Sequence, residues 1–436
     1  MNKSARFDKV ADYLEQFDKQ PAPDLAKLRQ QAATDLASYG FPGLKTETWK
    51  YTNARSLLQH VYMPAMDKKL DRNRLTSLFL QNAHQLVFVN GFYHAELSNL
   101  NHKDVVILPL TLALKKYGRE IEAHLGKLVP SQQPSFTALN TMLFRNGYFL
   151  EINTVLDKPL HILHIGSGLE AEEVIYTRNL IMLQPNSRAS IIEHYIALDD
   201  TSEYWRNNVS EMVLFTRAQL DYYKLQNEAK AAKHTDFITI CQHAESCCQT
   251  FNLDLGGKFV RNDLQIQLAA AGAECELNGL YITKQGQHID NHTAIEHAHT
   301  HTYAKEYYKG IVAGKSRAVF NGRVLVQQDA QKIKSAQKNA NLLLANDAEV
   351  DTKPELEIYA DDVSCTHGAT VGQLSRKAIL YLQSRGIDTL LAKKILTFAF
   401  AHEVIGTIKH DLVHKFIAQH LSIESYKDNH LHGVGE

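Results

Sequence analysis

The segment ECELNGLYITKQGQHIDNHTAIEHAHTHTYAKEYYKGIVAGKSRAVFNGRVLV, residues 274–326, carries the pattern that decides the fold. Short runs rich in β-branched and aromatic residues follow one another, and Gly, Asn or Ser separates them. Such runs are typical of strands bounded by turns. The same pattern of short strand-like runs begins near Gly147 and continues to Thr366 without a convincing helical stretch. The sequence therefore predicts a β core over residues 147–366.

A weak internal repeat indicates how these strands are arranged. The pair Asn278-Gly279 recurs as Asn321-Gly322, 43 positions later, in a similar apolar setting. An offset of this size would fit two coils of a β-solenoid with roughly 20 residues in each coil. Many short strands would also suit a sandwich or a barrel. The solenoid is favoured because the strand lengths repeat while hairpin turns are few.

Helical patterns flank the predicted β core on both sides. Residues 1–146 contain runs such as FDKVADYLEQFD, whose apolar residues have helical spacing, and we expect a mainly helical region there. Residues 367–436 contain two further amphipathic runs, preceded by Ser375 and Asp388 as N-cap candidates. The chain is therefore expected to have three parts, with the β core between two helical regions.

Composition narrows the class of function. Apolar residues make up 44% and charged residues 22%, and 47 basic side chains face 48 acidic ones for a formal net charge of −1. This balance argues against a dedicated nucleic-acid or anionic-membrane binder. The first residues lack the apolar core of a signal peptide, and no run has the length of a membrane span. Five cysteines without a C-x-x-C spacing predict a cytoplasmic protein with reduced thiols.

Three alternating histidines form the most obvious metal-binding candidate. On a continuous strand, His297, His299 and His301 would project from one face about 7 Å apart. Three imidazoles can bind zinc, iron or copper, although the ligands of one ion usually come from several elements. We interpret the run as a polar strand face. A metal-dependent enzyme on a β-solenoid is the alternative.

Two further sites are interpreted as structural. Cys247 and Cys248 are adjacent, so on a strand they point to opposite faces and cannot act together as ligands. Gly256 and Gly257 follow a strand pattern but open no helix, which makes phosphate binding there a weak hypothesis. The sequence has no Walker A loop, Rossmann fingerprint or nucleophile elbow.

The stretch DDVSCTHGATVG, residues 361–372, is the second metal-binding candidate. If the strand continues through Thr366, then Val363, Cys365 and His367 share one face. A thiolate and an imidazole at a sheet edge can hold a soft or borderline metal if further ligands approach from outside. The alternative is that Cys365 packs as a small apolar side chain and His367 caps the following helix.

Several long motifs resemble the SufB/SufD family of the SUF iron–sulfur cluster assembly system. They are PELEIYADDVSCTHGATVGQL (residues 354–374), AILYLQSRGI and AKKILTFAFAHEVI after it, TETWKYTN (residues 46–53), and the central block quoted first above. The turn Thr366-His367-Gly368-Ala369 differs from the acidic Glu-His-Glu-Ala form of SufB. Together with ETWKYT, it indicates the SufD branch of the family.

The resemblance implies a fold and a mode of action. It implies a right-handed parallel β-helix flanked by N- and C-terminal helical regions. It further implies a scaffold subunit that is not an enzyme alone and that acts with SufB and the ABC-type ATPase SufC. No resident cofactor is expected in the isolated chain, whereas iron or an Fe–S cluster would be held transiently in the complex.

The resemblance also assigns residues to roles. The functional histidine of the family, which faces a SufB cysteine at the interface where clusters are assembled, falls on His367. The neighbouring family cysteine falls on Cys365, so both are expected to contact a nascent cluster together with partner residues. The helices over residues 375–421 correspond to the region that docks SufC. The chain is expected to pair with SufB, and to form a homodimer when isolated.

Overall fold

Two ten-stranded sheets form a β-solenoid of about seven turns, with helices at both ends of the chain. The computed structural model describes residues 3–19, 24–99, 105–130 and 135–427. Apart from two antiparallel pairs at its N-terminal end, neighbouring strands are parallel. The predicted class, a mainly β solenoid core with flanking helical regions, is confirmed.

From β5 to β20 the strands alternate between the two sheets along the chain. In chain order they are β1 (Met63–Pro64), β2 (His84–Val89), β3 (Phe92–Tyr93), β4 (Val105–Pro109), β5 (Tyr148–Ile152), β6 (Leu160–Gly166), β7 (Glu173–Leu183), β8 (Arg188–Ala197), β9 (Trp205–Leu214), β10 (Gln219–Asn227), β11 (Lys233–Gln242), β12 (Cys247–Asp254), β13 (Phe259–Leu268), β14 (Glu274–Thr283), β15 (His288–His297), β16 (Tyr303–Val312), β17 (Arg317–Val326), β18 (Ile333–Leu343), β19 (Glu349–Ile358) and β20 (Val363–Gly372). Sheet A has the spatial order β19-β17-β15-β13-β11-β9-β7-β5-β4, with β1 beside β7. Sheet B has the order β20-β18-β16-β14-β12-β10-β8-β6-β2-β3.

The helices lie outside the solenoid. They are α1 (Lys3–Asp18), α2 (Ala26–Tyr39), α3 (Leu110–His124), α4 (Phe136–Leu143), α5 (Arg376–Ser384), α6 (Thr389–Ile405) and α7 (Asp411–Lys427), with short 3₁₀ helices at Glu47–Trp49, Ala54–Leu58 and Arg72–Leu78. Residues 1–146 also supply β2, β3 and β4, which extend the two sheets. The N-terminal region is therefore continuous with the β core and is not helical throughout.

The length of one coil differs from the expectation. His288 on β15 pairs with Arg317 on β17, 29 positions later, so one turn has two strands and about 29 residues. The Asn-Gly pairs lie within β14 of sheet B and β17 of sheet A, one and a half turns apart. The estimate of roughly 20 residues per coil was wrong because the repeated pair falls on opposite sheets.

Glycine has a packing role within these two strands. A Cβ on Gly279 would lie 2.2 Å from the Tyr308 ring, and a Cβ on Gly322 would lie 2.2 Å from Nε2 of Gln337. Both distances are far below van der Waals contact. The Asn-Gly pairs therefore make room for large inward side chains of nearby strands, and they are not hairpin turns.

The TETWKYTN segment fastens the N-terminal region to sheet A. Arg261 on β13 donates to the Thr48 carbonyl oxygen at 2.9 Å, and its guanidinium lies 4.6 Å from the centre of the Trp49 ring. Thr52 donates to the buried carboxylate of Asp290 on β15. This cation–π contact and these buried hydrogen bonds hold residues 46–53 across neighbouring turns of the solenoid.

The C-terminal helices pack against sheet B through only part of their length. Ala401, Val404 and Ile405 at the end of α6 are buried, with α7 beside them, in one apolar cluster on the outer face of the sheet. Lys309 of β16 donates to the Glu403 carboxylate at 2.5 Å. By contrast, α5 has no buried residue, so the α5–α6 hairpin projects from the body of the protein. Among the described helices, none combines the length and the hydrophobicity that a membrane span requires.

The last turn of the solenoid ends in two edge strands. Within the described part of the chain, β19 and β20 each pair with one neighbour only, β17 and β18 respectively. β20 continues to Gly372, so the boundary predicted between Thr366 and His367 falls inside this strand. Its residues extend the sheet because they pair in register with β18. His367 therefore caps no helix. Ser375 caps α5 instead, its hydroxyl accepting from the Ala378 amide.

Candidate site on the terminal strand of the solenoid

β20 carries Cys365 and His367 on the same face of the open end. Val363 and Cys365 pack against the interior apolar cluster, so alternation directs His367 to the interior side as well. Among the described residues no further coil covers this face, and His367 is exposed. The strand therefore presents a thiol and an imidazole side by side at a sheet edge, which is the arrangement the sequence predicted.

The two side chains have different surroundings. Cys365 is half-buried, and burial raises the pKa of its thiol, although a hydrogen bond with the Ser335 backbone opposes this effect. The thiol is therefore protonated at neutral pH in the chain by itself. A bound metal ion or a nearby cation would be needed to stabilise the thiolate. The exposed imidazole of His367 can reach a metal ion directly.

The three histidines of the central block do not share a face. β15 ends at His297, which is buried and bonds through Nδ1 to the Thr302 hydroxyl at 2.7 Å. Burial lowers its pKa to about 4. His299 and His301 follow in a turn, where His301 has a positive φ of 60°. The predicted alternation was wrong because the strand stops before it, and the described residues contain no group of three or more His, Cys, Asp or Glu suited to a metal ion.

The other cysteines have structural positions. Cys248 is buried in the interior cluster beside Cys275, its register partner on β14, whereas Cys247 is half-buried on the other face of β12. Adjacent residues on opposite faces agree with the sequence interpretation. All five cysteines of the chain are free thiols.

A second candidate surface lies on the α5–α6 hairpin. Large apolar side chains are exposed along it: Leu380, Tyr381, Leu390, Leu391, Ile395 and Phe398. The hairpin is well defined, since Gly386 follows α5 with a φ of 82° and Asp388 caps α6 by accepting from the Leu391 amide at 2.9 Å. Several large exposed apolar side chains on one hairpin are typical of a protein–protein contact.

These features define a class of protein: a β-solenoid with an open terminal edge that carries a thiol and an imidazole, and with a projecting apolar hairpin. Family comparison identifies the family. A model described as "SUF system FeS cluster assembly, SufBD core domain" matches residues 164–400, and one described as "SufBD protein N-terminal region" matches residues 6–162. The chain belongs to the SufBD family of the SUF iron–sulfur cluster assembly system.

Individual relatives agree along most of the chain. An iron–sulfur cluster assembly SufBD family protein of Synechocystis is 32% identical over 397 residues, which cover 88% of this chain and 87% of the relative. The iron–sulfur cluster assembly protein SufD of Escherichia coli is 30% identical over 387 residues, or 87% and 88% of the two chains. The chloroplastic protein ABCI7 of Arabidopsis thaliana is 27% identical over 406 residues, or 87% and 82%.

Proposed function

We propose that this chain is a SufD-like, non-catalytic subunit of a complex with SufB and the ATPase SufC, and that nascent clusters form at its interface with SufB. The observation that carries the proposal is the placement of Cys365 and His367 on the terminal edge strand, which pairs with β18 on one side only among the described residues. Iron and sulfide are cargo at this interface. We place the complex in the cytoplasm, where the free thiols stay reduced.

The open end of the solenoid suits a site shared between two proteins. Exposed edge strands carry unpaired backbone N–H and C=O groups, which a partner strand can satisfy. One thiol and one imidazole are too few ligands for a tetrahedral iron, so the remaining ligands would come from the partner. The half-buried Cys365 would lose its proton on binding the metal, and the exposed His367 would bind first.

The α5–α6 hairpin is the proposed docking surface for SufC. It is attached to β16 through the Lys309–Glu403 ion pair, and β16 pairs with β18, the neighbour of β20. A movement of the ATPase could therefore reach the cluster interface across two strands. ATP-driven opening of that interface is the mechanism we propose for this connection.

The replacement His367→Ala tests the function. The complex reconstituted from the variant with SufB and SufC should assemble normally but make clusters at least about tenfold more slowly, as is typical when a residue around a metal site is removed. Cluster formation would be followed by its visible absorbance, and complex formation by size-exclusion chromatography.

His299→Ala is the matched control, because His299 is also near the solenoid surface but lies in a turn outside the proposed site. It should leave cluster formation unchanged. Normal cluster formation by the His367→Ala complex would show that the chain only holds SufB and SufC together. Loss of activity and of tightly bound metal in His299→Ala would instead support a metal-dependent enzyme.

A further inference from the structure

Two buried polar side chains, Gln337 and Glu306, lie behind His367 on successive strands of sheet B. In the register of sheet B, His367 on β20 lies opposite Gln337 on β18, and Gln337 lies opposite Glu306 on β16. Paired strands are about 4.8 Å apart, so these side chains are successive neighbours. Ile333 and Tyr308, which share strand faces with Gln337 and Glu306, both pack in the interior cluster. The row therefore runs inside the solenoid and opens at its end.

The Gln337 side chain is hydrogen-bonded on its inner side. Gln337 donates from Nε2 to Oε2 of Glu306 at 2.7 Å. Oε1 of Gln337 has no hydrogen-bond partner among the described residues. Beyond Glu306 the next residue in register is the buried Leu277, which closes the row. Because Nε2 of Gln337 is bonded toward β16, the buried Oε1 of the same amide is left for a partner on the side of β20 and His367.

Other interior carboxylates are better satisfied than Glu306. Glu193, deeper in the solenoid, accepts from the hydroxyls of Tyr148, Tyr195 and Tyr222. Glu306 accepts from Gln337 through Oε2, whereas its Oε1 has no hydrogen-bond partner among the described residues, and burial raises its pKa to about 7. A buried carboxyl with so few partners costs stability, and an apolar side chain would fill the same space without that cost.

The fold also reserves space for this arrangement. Gly322 on β17, in the facing sheet, leaves the room that the Gln337 amide occupies, since a Cβ there would lie 2.2 Å from Nε2. The amide is thereby held between Gly322 and Glu306. Its orientation is fixed from two sides before any partner protein arrives.

We propose that Gln337 and Glu306 are positioning residues for His367: Gln337 accepts a hydrogen bond from one imidazole nitrogen through Oε1, and Glu306 holds the Gln337 amide in that orientation. The other imidazole nitrogen is then directed toward the cluster interface. Metal-binding histidines commonly depend on such a second hydrogen bond for their tautomer and ring orientation. This inference rests on the proposed role of His367.

The experiment compares apolar and conservative replacements in the reconstituted complex with SufB and SufC. Gln337→Leu and Glu306→Leu should assemble into the complex but form clusters several-fold to about tenfold more slowly. Glu306→Gln keeps an acceptor for the Gln337 amide and should restore most of the rate. If Gln337 and Glu306 serve packing alone, the order of the variants is reversed. The leucine variants should then unfold at a higher temperature than wild type, because leucine removes a buried polar group, and they should form clusters no more slowly than Glu306→Gln.

A second measurement does not depend on cluster formation. In the isolated chain, the ¹⁵N NMR signals of the His367 imidazole would be assigned as those that disappear from the spectrum of His367→Ala. The chemical shifts of its two nitrogens report the tautomer, and they should change in Gln337→Leu. They should also change in Gly322→Ala, because the added methyl group displaces the Gln337 amide without altering it chemically. Unchanged tautomer and unchanged cluster formation in Gln337→Leu would overturn the inference.

The two proposals fail in different ways. If His367→Ala makes clusters normally, the proposed function is wrong, whatever Gln337 does. If His367→Ala is defective while Gln337→Leu and Glu306→Leu match wild type, His367 acts without positioning residues and only the present inference is lost.

Discussion

At the level of single residues, the candidate site combines one half-buried group with one exposed group. Cys365 packs against the interior cluster, and burial raises its pKa, whereas His367 is exposed beyond the last complete coil. In the absence of a partner protein, the two side chains therefore differ in how readily they can bind a metal. The imidazole is ready to bind a metal, and the thiol becomes a good ligand only when a metal or another cation favours the thiolate.

Glu306 gives a prediction about stability and pH. Its pKa is raised from 4.5 to about 7 in the folded chain, so the folded state binds more protons than the unfolded state between these values. The free energy of unfolding of wild type should therefore fall, relative to Glu306→Gln, as pH rises from about 4.5 to about 7, with a ceiling of roughly 3 kcal/mol.

Denaturant unfolding of both proteins at pH 5 and pH 8 measures this difference. Other interior carboxyls, such as Asp254, are unchanged between the two proteins and cancel in the comparison. An equal separation of the two unfolding midpoints at both pH values would show that Glu306 titrates normally.

Sequence reasoning singled out the two candidate residues of the terminal strand but not the residues behind them. Strand alternation was enough to place Cys365 and His367 on one face. Gln337 and Glu306 belong to other strands, and only the register of three turns brings them into line with His367. Coil lengths vary with the turns between strands, so that register could not be counted from the sequence.

At the level of elements, strand ends were harder to predict than strand existence. β15 stops at His297 because the following residues form the turn into β16. β20 runs beyond His367 through Gly368 and Ala369, which have weak intrinsic strand preference, because each residue pairs with β18. For β20, the backbone partner and not the local side chains determines where the strand ends.

The α5–α6 hairpin gives a prediction about ATPase binding. Leu391→Glu combined with Phe398→Glu should weaken SufC binding by at least about tenfold, or 1.4 kcal/mol, because the change introduces charge into the exposed apolar surface. Stability should change little, since neither side chain is buried. Isothermal titration calorimetry with purified SufC measures the affinity.

Leu44→Glu is the control for this experiment. Leu44 and Phe398 have the same exposed fraction, 55%, but Leu44 lies in the N-terminal region. Full SufC affinity in the hairpin double variant would place the ATPase elsewhere on the chain, for example on the outer face of sheet B.

At the level of the whole molecule, the solenoid is closed at one end and open at the other. At the N-terminal end, β2–β3 and β4–β5 change to antiparallel pairing, and α2 and α4 pack alongside sheet A with the rest of the N-terminal apolar cluster. At the C-terminal end, β19 and β20 have no such cover among the described residues. The succession of short strand-like runs in the sequence predicted the coils. It could not show this asymmetry, because capping depends on how distant segments fold back.

The open end predicts how the chain associates. Tyr359, just after β19, and Val371, on β20, are exposed apolar side chains on the last turn. Replacing both with lysine should weaken self-association of the isolated chain by at least about tenfold and also weaken pairing with SufB, because lysine on edge strands opposes strand addition. Sedimentation equilibrium measures the first effect, and co-purification with SufB measures the second.

Leu112→Lys controls for the added charge, because Leu112 is an exposed leucine on α3, and this variant should associate like wild type. If the double variant also does so, the edge strands are not the interface. His367 would then have to meet its partner ligands through side-chain contacts, without strand pairing.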